Sequence, residues 1–160
     1  MRVDCNLFNI NQIPTNVGGQ GGKESAFAAF FSNWKRINAP LHDWEYPDLN
    51  KTIRVELKKQ SGIQWFDSGK YYNLTPEDRS IILLFVLHKK GSIDKIYATT
   101  IGEFIDWLVQ NRAKDGWTDE VMRIASEFRI RYPTLQFKAQ VNIRKMIRQA
   151  PHLFDIIYSK

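Results

Sequence analysis

Three observations make the sequence predict a mixed α/β (α+β) fold, a central mixed β-sheet flanked by helices. Thr52 to Lys59 alternates strictly, with Ile53, Val55 and Leu57 on one side and Arg54, Glu56 and Lys58 on the other. That is the period of a strand with one buried face. Ile81 to Leu87 is an unbroken run of seven apolar residues, the pattern of a strand buried on both faces. Ile101, Phe104, Ile105 and Leu108 recur at helical spacing and mark an amphipathic helix over 101–112.

The elements follow in order. Leu7, Phe8 and Ile10 form a short apolar patch ahead of Gly18-Gly19-Gln20-Gly21-Gly22, a segment with so little backbone restraint that 1–22 reads as a mobile arm. It lacks the strand-then-GxxxxGK[ST] order, so no nucleotide cofactor is expected. From Glu24 to Ile37, Phe27, Phe30, Phe31 and Trp34 recur every three or four residues, which predicts a helix with an aromatic core face. Leu41 to Tyr46 alternates in period two, Pro47 to Lys51 supplies turn residues, and the strand 52–59 follows, giving a hairpin. Residues 60–79 read as a polar, aromatic loop with one helical turn starting at Thr75-Pro76. Strands over 80–88 and 92–98 flank a turn at Lys89-Lys90-Gly91, and Thr118 caps a helix reaching about Arg131. A last, basic helix is expected over Lys138 to Gln149, closed by Ala150-Pro151.

Composition narrows the class of protein. At 160 residues, 43% hydrophobic and 25% charged, the chain suits one domain with a real core and argues against wholesale disorder. A lone Cys5 excludes a disulfide framework and a Cys-rich zinc site. No apolar run approaches the length of a bilayer span, and the N-terminus carries no signal pattern, so a soluble, cytoplasmic protein without a membrane partner is expected. Residues 121–160 hold eight basic and two acidic residues, whereas 1–120 hold fifteen of each. The whole net charge of +6 therefore falls in the last quarter, which suggests a phosphate-facing surface.

The residues that carry chemistry centre on Glu56-Leu57-Lys58. On a strand, residues two apart share a face, and the preceding hairpin arm carries Asp43 and Glu45. Two carboxylates on neighbouring strands suit a Mg²⁺ ion that keeps several waters. An adjacent lysine suits the orientation or deprotonation of an attacking water in phosphodiester hydrolysis. The first acid has three candidates. A turn centred between Leu49 and Asn50 puts Asp43 opposite Glu56, and a tighter turn at Asn50-Lys51 puts Glu45 there. Asp48 faces Glu56 only across a turn centred on Thr52, a poor turn residue.

The segment from Asp43 to Lys58 resembles the PD-(D/E)XK nuclease motif, and the strand–turn–strand unit after it resembles the small homodimeric type II restriction endonucleases. The resemblance covers about residues 24–112, as arrangement more than residue identity. It implies a restriction-endonuclease-like catalytic core over 24–112, with 118–160 as a basic DNA-contact or dimer region. It implies a Mg²⁺-dependent double-strand DNA endonuclease, with Mn²⁺ as a substitute ion, acting as a homodimer. Glu24 would be an accessory first-helix acid. A homing endonuclease or a junction resolvase uses the same core, and a non-catalytic DNA-binding protein is the remaining alternative. DNA contacts are expected from Gln64, Lys70 and Asn73 in the loop after the catalytic strand, and from Lys138, Asn142, Arg144, Lys145 and Arg148.

Overall fold

Strand order in the central sheet follows from which faces are apolar. The computed structural model describes residues 3–14, 27–47, 52–60, 63–90, 92–135 and 137–160, with 57–60 described through their backbone. β1 (Lys35–Arg36), β2 (Trp44–Pro47), β3 (Thr52–Gln60), β5 (Ile82–Lys89), β6 (Ser92–Thr100) and β8 (Asp155–Ser159) form a six-stranded mixed sheet in the order β1-β2-β3-β5-β6-β8. β3 and β5 run parallel and every other neighbour is antiparallel. The crossover between them carries β4 (Ile63–Asp67), a single 3₁₀ turn at Ser68–Tyr71 and the short helix α1 (Pro76–Arg79). Thr75 caps α1 by accepting from the Asp78 N–H.

Two apolar clusters sandwich the sheet. Ile82, Leu84 and Val86 of β5 enter the first, with Val55, Trp44 and the aromatic residues Phe27, Phe30, Phe31 and Trp34. Leu83, Phe85 and Leu87 enter the second, with Phe66, Tyr71 and the inner face of α2 (Ile101–Asn111). Both faces of β5 are thus covered, as its continuous apolar run requires. Beyond α2, α3 (Asp119–Arg131) starts at the Thr118 cap, and α4 (Ile143–Gln149) follows β7 (Lys138–Asn142) directly.

Four expectations change. Residues 3–14 fall within the stretch expected to be a mobile arm, yet Val3 and Phe8 are buried in the first cluster. Residues 27–34 form a run of turns instead of a regular helix, although Phe27, Phe30, Phe31 and Trp34 are buried as a helix face would bury them. Phe8 stacks on Phe30 and Trp34, so tertiary ring packing, not backbone period, organises this segment. Residues 63–67 are a strand, and its partner is β7: Ile63 pairs with Asn142, Trp65 with Gln140 and Asp67 with Lys138. The predicted 138–149 helix is therefore a strand followed by a shorter helix. Lys138 to Asn142 alternates, with Ala139 and Val141 turned inward, and the helical period begins only at Ile143 and Met146.

α3 docks on the 3₁₀ turn with backbone closeness. A Cβ on Gly69 would lie 2.8 Å from the carbonyl carbon and oxygen of Ala125, and backbone atoms yield little. Arg129 Nε lies 2.7 Å from Asp67 Oδ2, an ionic contact, while Asp67 Oδ1 accepts from the Gly69 N–H at 3.3 Å. Ser68 donates twice to the Phe137 carbonyl, through its N–H at 3.0 Å and its hydroxyl at 3.3 Å. Gly69→Ala is expected to destabilise the fold by about 1–3 kcal/mol, the ordinary cost of overpacking, read as a lower denaturant midpoint with unchanged slope.

Candidate active site and adjoining cleft

Register brings the acids together. β2 and β3 pair Trp44 with Val55, Glu45 with Arg54, Tyr46 with Ile53 and Pro47 with Thr52. That ladder is the register of a turn centred between Leu49 and Asn50. Beyond its end the Asp43 N–H donates to the Val55 carbonyl at 2.7 Å, which brings Asp43 beside the Val55–Glu56 peptide. Since Val55 points into the first cluster, Glu56 projects to the other side of the sheet, and the charges of both acids act on Tyr71 there. Both are partly buried there, and Glu56 is in register with Leu83 of the second cluster. Lys58 follows two positions along β3, in register with Phe85. Asp48 and Glu24 lie outside the described residues.

Glu45 is otherwise engaged. Its Oε1 lies 2.8 Å from His42 Nε2 and 3.8 Å from Arg54 Nε, opposite which it sits.

Tyr71 completes the group, and the sequence marks it only as an aromatic residue in a polar segment. Its side chain sits in the second cluster against Phe66 and Trp117. Burial raises its hydroxyl well above the ordinary tyrosine range, and the charges of Glu56, Asp67 and Asp43 raise it further. The phenol therefore stays protonated beside three carboxylates. Asp67 is the other residue that the sequence reading missed. No local pattern marks it, because its burial depends on α3 packing from far along the chain.

Among the described residues, no group of three His, Cys, Asp or Glu side chains is arranged to hold a metal ion. A pair of partly buried carboxylates on adjacent strands is nonetheless a donor set that suits Mg²⁺, which takes one or two carboxylates and fills its octahedron with water and substrate oxygens. Asp43 and Glu56 fit that description.

A cleft of about 430 Å³ lies between the β4–β7 ribbon and helices α2 and α4, and neither Asp43 nor Glu56 lines it. Trp65, Gln140, Lys138, Lys145 and Arg112 line it. Alternation turns Ile63 and Trp65 outward, 53% and 51% exposed, on the ribbon face that also carries Gln140 and Lys138. Gln64 takes the opposite face, paired with Val141. Asn142 caps α4 by accepting from the Lys145 N–H at 3.0 Å, and Arg144 Nη2 donates to the His88 carbonyl at 3.3 Å. Arg148 is exposed. Asn73 sits elsewhere, at a φ of 54° that asparagine tolerates, in a hollow lined by Arg79, Asp106 and Asp119. Lys70 lies in the 3₁₀ turn beside Tyr71.

The chain matches no protein-family model, no curated protein and no solved structure. Among the described residues, no helix is long and apolar enough to cross a membrane.

The raised Tyr71 hydroxyl sets an alkaline limit on stability. The unfolded chain ionises this phenol near its ordinary value of 10.0, while the folded chain holds its proton to higher pH. Stability from this group is thus complete below about pH 10 and falls as pH rises through the folded value. Tyr71→Phe is expected to flatten that alkaline decline in denaturant melts. Asp43→Asn with Glu56→Gln is expected to move the Tyr71 absorbance titration downward, still above 10.0 because burial is the larger cause.

Proposed function

We propose that this protein is a Mg²⁺-dependent double-strand DNA endonuclease of the PD-(D/E)XK type, serving as a type II restriction enzyme. One observation carries the reading. Asp43 hydrogen-bonds β3 at Val55, next to Glu56, and the charges of both acids act on the same buried Tyr71 hydroxyl. An acidic pair on a sheet face, followed by Lys58 two residues on, is the minimal constellation that phosphodiester hydrolysis needs.

Asp43 and Glu56 would hold the ion. When bound, it supplies charge stabilisation to the phosphate and lowers the pKa of its water. Lys58 is assigned to the attacking water, to orient it and take its proton, on the acid–x–Lys spacing alone. Tyr71 keeps its proton and so adds no negative charge to the acidic site. Arg112, Lys138 and Lys145 offer phosphate contacts along the cleft. The β4–β7 ribbon is of the kind the major groove admits, and it turns Trp65 and Gln140 outward toward base edges. Asp67 ends β4 immediately before the turn bearing Tyr71, so the ribbon leads directly into the residue on which the acids act.

The test is cleavage of a long duplex with Mg²⁺, with Mn²⁺ and without metal. Wild type is expected to give discrete fragments only with metal. Glu56→Gln, Lys58→Ala and Asp43→Ala should each lose about 10²–10⁴ in rate, whereas Asp48→Asn should cut normally. Fragments that persist in Glu56→Gln and Lys58→Ala would overturn the site. Metal-independent binding without cleavage by wild type would instead favour a DNA-binding protein. Preference for four-way junctions over linear duplex would favour a resolvase.

A further inference from the structure

Pairing in the β4–β7 ribbon puts Trp65 opposite Gln140 and Ile63 opposite Asn142. Residues two apart on a strand share a face, so Lys138, Gln140 and Asn142 form one row across from Ile63 and Trp65. All five line the cleft of about 430 Å³, and α2 contributes the half-buried Trp107 from the other wall. Leu108 and Met146, both buried, make an apolar floor. A half-exposed tryptophan on a two-stranded ribbon keeps apolar area that no core covers, and here a second tryptophan stands in the same cavity.

Charge at the rim selects an anion. Lys138, Lys145 and Arg112 line the cleft against a single acid, Asp115. Arg112 is held in place, 3.9 Å from Asp115 and donating to Gln149 at 3.2 Å, while both lysines are exposed. Lys138 begins β7, and the Lys145 N–H donates to Asn142 at its end. The two lysines therefore flank the row, separated by about 13 Å of strand. Charges set that far apart, with Gln140 and Trp65 between them, suit the phosphates on either side of one nucleotide.

The tryptophans select the other half of the ligand. An indole offers one N–H and no acceptor, so it recognises a base by its face, and a base inside a duplex has both faces covered by its neighbours. Gln140, opposite Trp65, supplies a donor and an acceptor for the edge of a base lying on that ring. The cavity has the size of a small-ligand pocket, which admits a nucleotide and not a duplex. We propose that the cleft holds one unpaired nucleotide of a DNA strand, its base stacked on Trp65 against the wall formed by Trp107, and its flanking phosphates on Lys138 and Lys145. The substrate is then DNA with a nucleotide out of the stack, extruded or single-stranded. The inference rests on the nuclease reading for DNA as the polymer, and on the cleft alone for the unpaired nucleotide.

Fluorescence anisotropy of a labelled oligothymidylate of about 12 nucleotides, in EDTA so that no cutting intervenes, tests the site. Wild type is expected to bind it. Trp65→Leu should weaken binding by about tenfold or more with the salt dependence unchanged, whereas Trp65→Phe should retain most of it, because stacking needs a ring. Trp65 is 51% exposed, so both variants keep the fold. Lys138→Ala and Lys145→Ala should each reduce the slope of log affinity against log salt by about 0.7. No binding by wild type, binding by Trp65→Leu as tight as by Trp65→Phe, or a slope unmoved by both lysine changes overturns the proposal. Displacement of the oligomer by an equal concentration of thymidine 5′-triphosphate assigns the cleft to a free nucleotide and overturns the strand. Glu56→Gln, which cannot cut under the nuclease reading, should bind the oligomer as wild type does, so either reading can fail without the other.

Discussion

β3 must serve two apolar layers with a period of two, and the position of the acids follows from that demand. Val55 is fully buried in the first cluster, in register with Ile82. A one-residue slip against β5 would drive Glu56 into that aromatic layer and put Val55 outside it. Burying an unpaired carboxylate among phenylalanines costs far more than any strand pairing restores. β5 itself offers no such discrimination, because it is apolar on both faces. The alternation within β3 therefore sets the register, and the register sets Glu56 on the face that also holds Tyr71. Asp43 follows through the β2–β3 ladder, so the site is a consequence of core packing.

The turn at Ser68–Tyr71 links the parts of the molecule that act together. Its start, Asp67, closes the β4–β7 ribbon and holds Arg129 of α3. Its end, Tyr71, lies within reach of the charges of Asp43 and Glu56. Gly69 allows α3 to approach to backbone contact between the two. The same helix thus backs the Tyr71 turn with its inner face, through packed backbone and one ion pair.

Charge is distributed more finely than a basic last quarter suggests. α3 is balanced, three acids against three bases. The surplus lies on β7 and α4, where Lys138, Arg144, Lys145 and Arg148 meet no acidic residue within 138–149. Two of those four line the cleft beside Trp65 and Gln140. The positive surface is consequently local to β7 and α4 rather than spread along the whole C-terminal region.

Local pattern made much of this legible in the sequence. Alternation over 52–59, the apolar run ending at Leu87, the helical spacing of Ile101, Phe104, Ile105 and Leu108, and the Thr118 cap mark β3, β5, α2 and α3, because each signal lies within one element. Pro47 to Lys51 carried enough turn chemistry to give the register that pairs Trp44 with Val55. β4 and β7 were not legible, since each is short and gains its hydrogen bonds from the other, across about half the chain length. The aromatic period at 27–34 misled for a related reason: those rings answer to Phe8, and no local backbone repeat encodes that contact. Asp67 and Tyr71 became candidates only once α3 and the second cluster enclosed them. Side-chain period determined which faces are buried, while the burial of individual polar groups, and hence their electrostatics, was decided by contacts between segments distant in sequence.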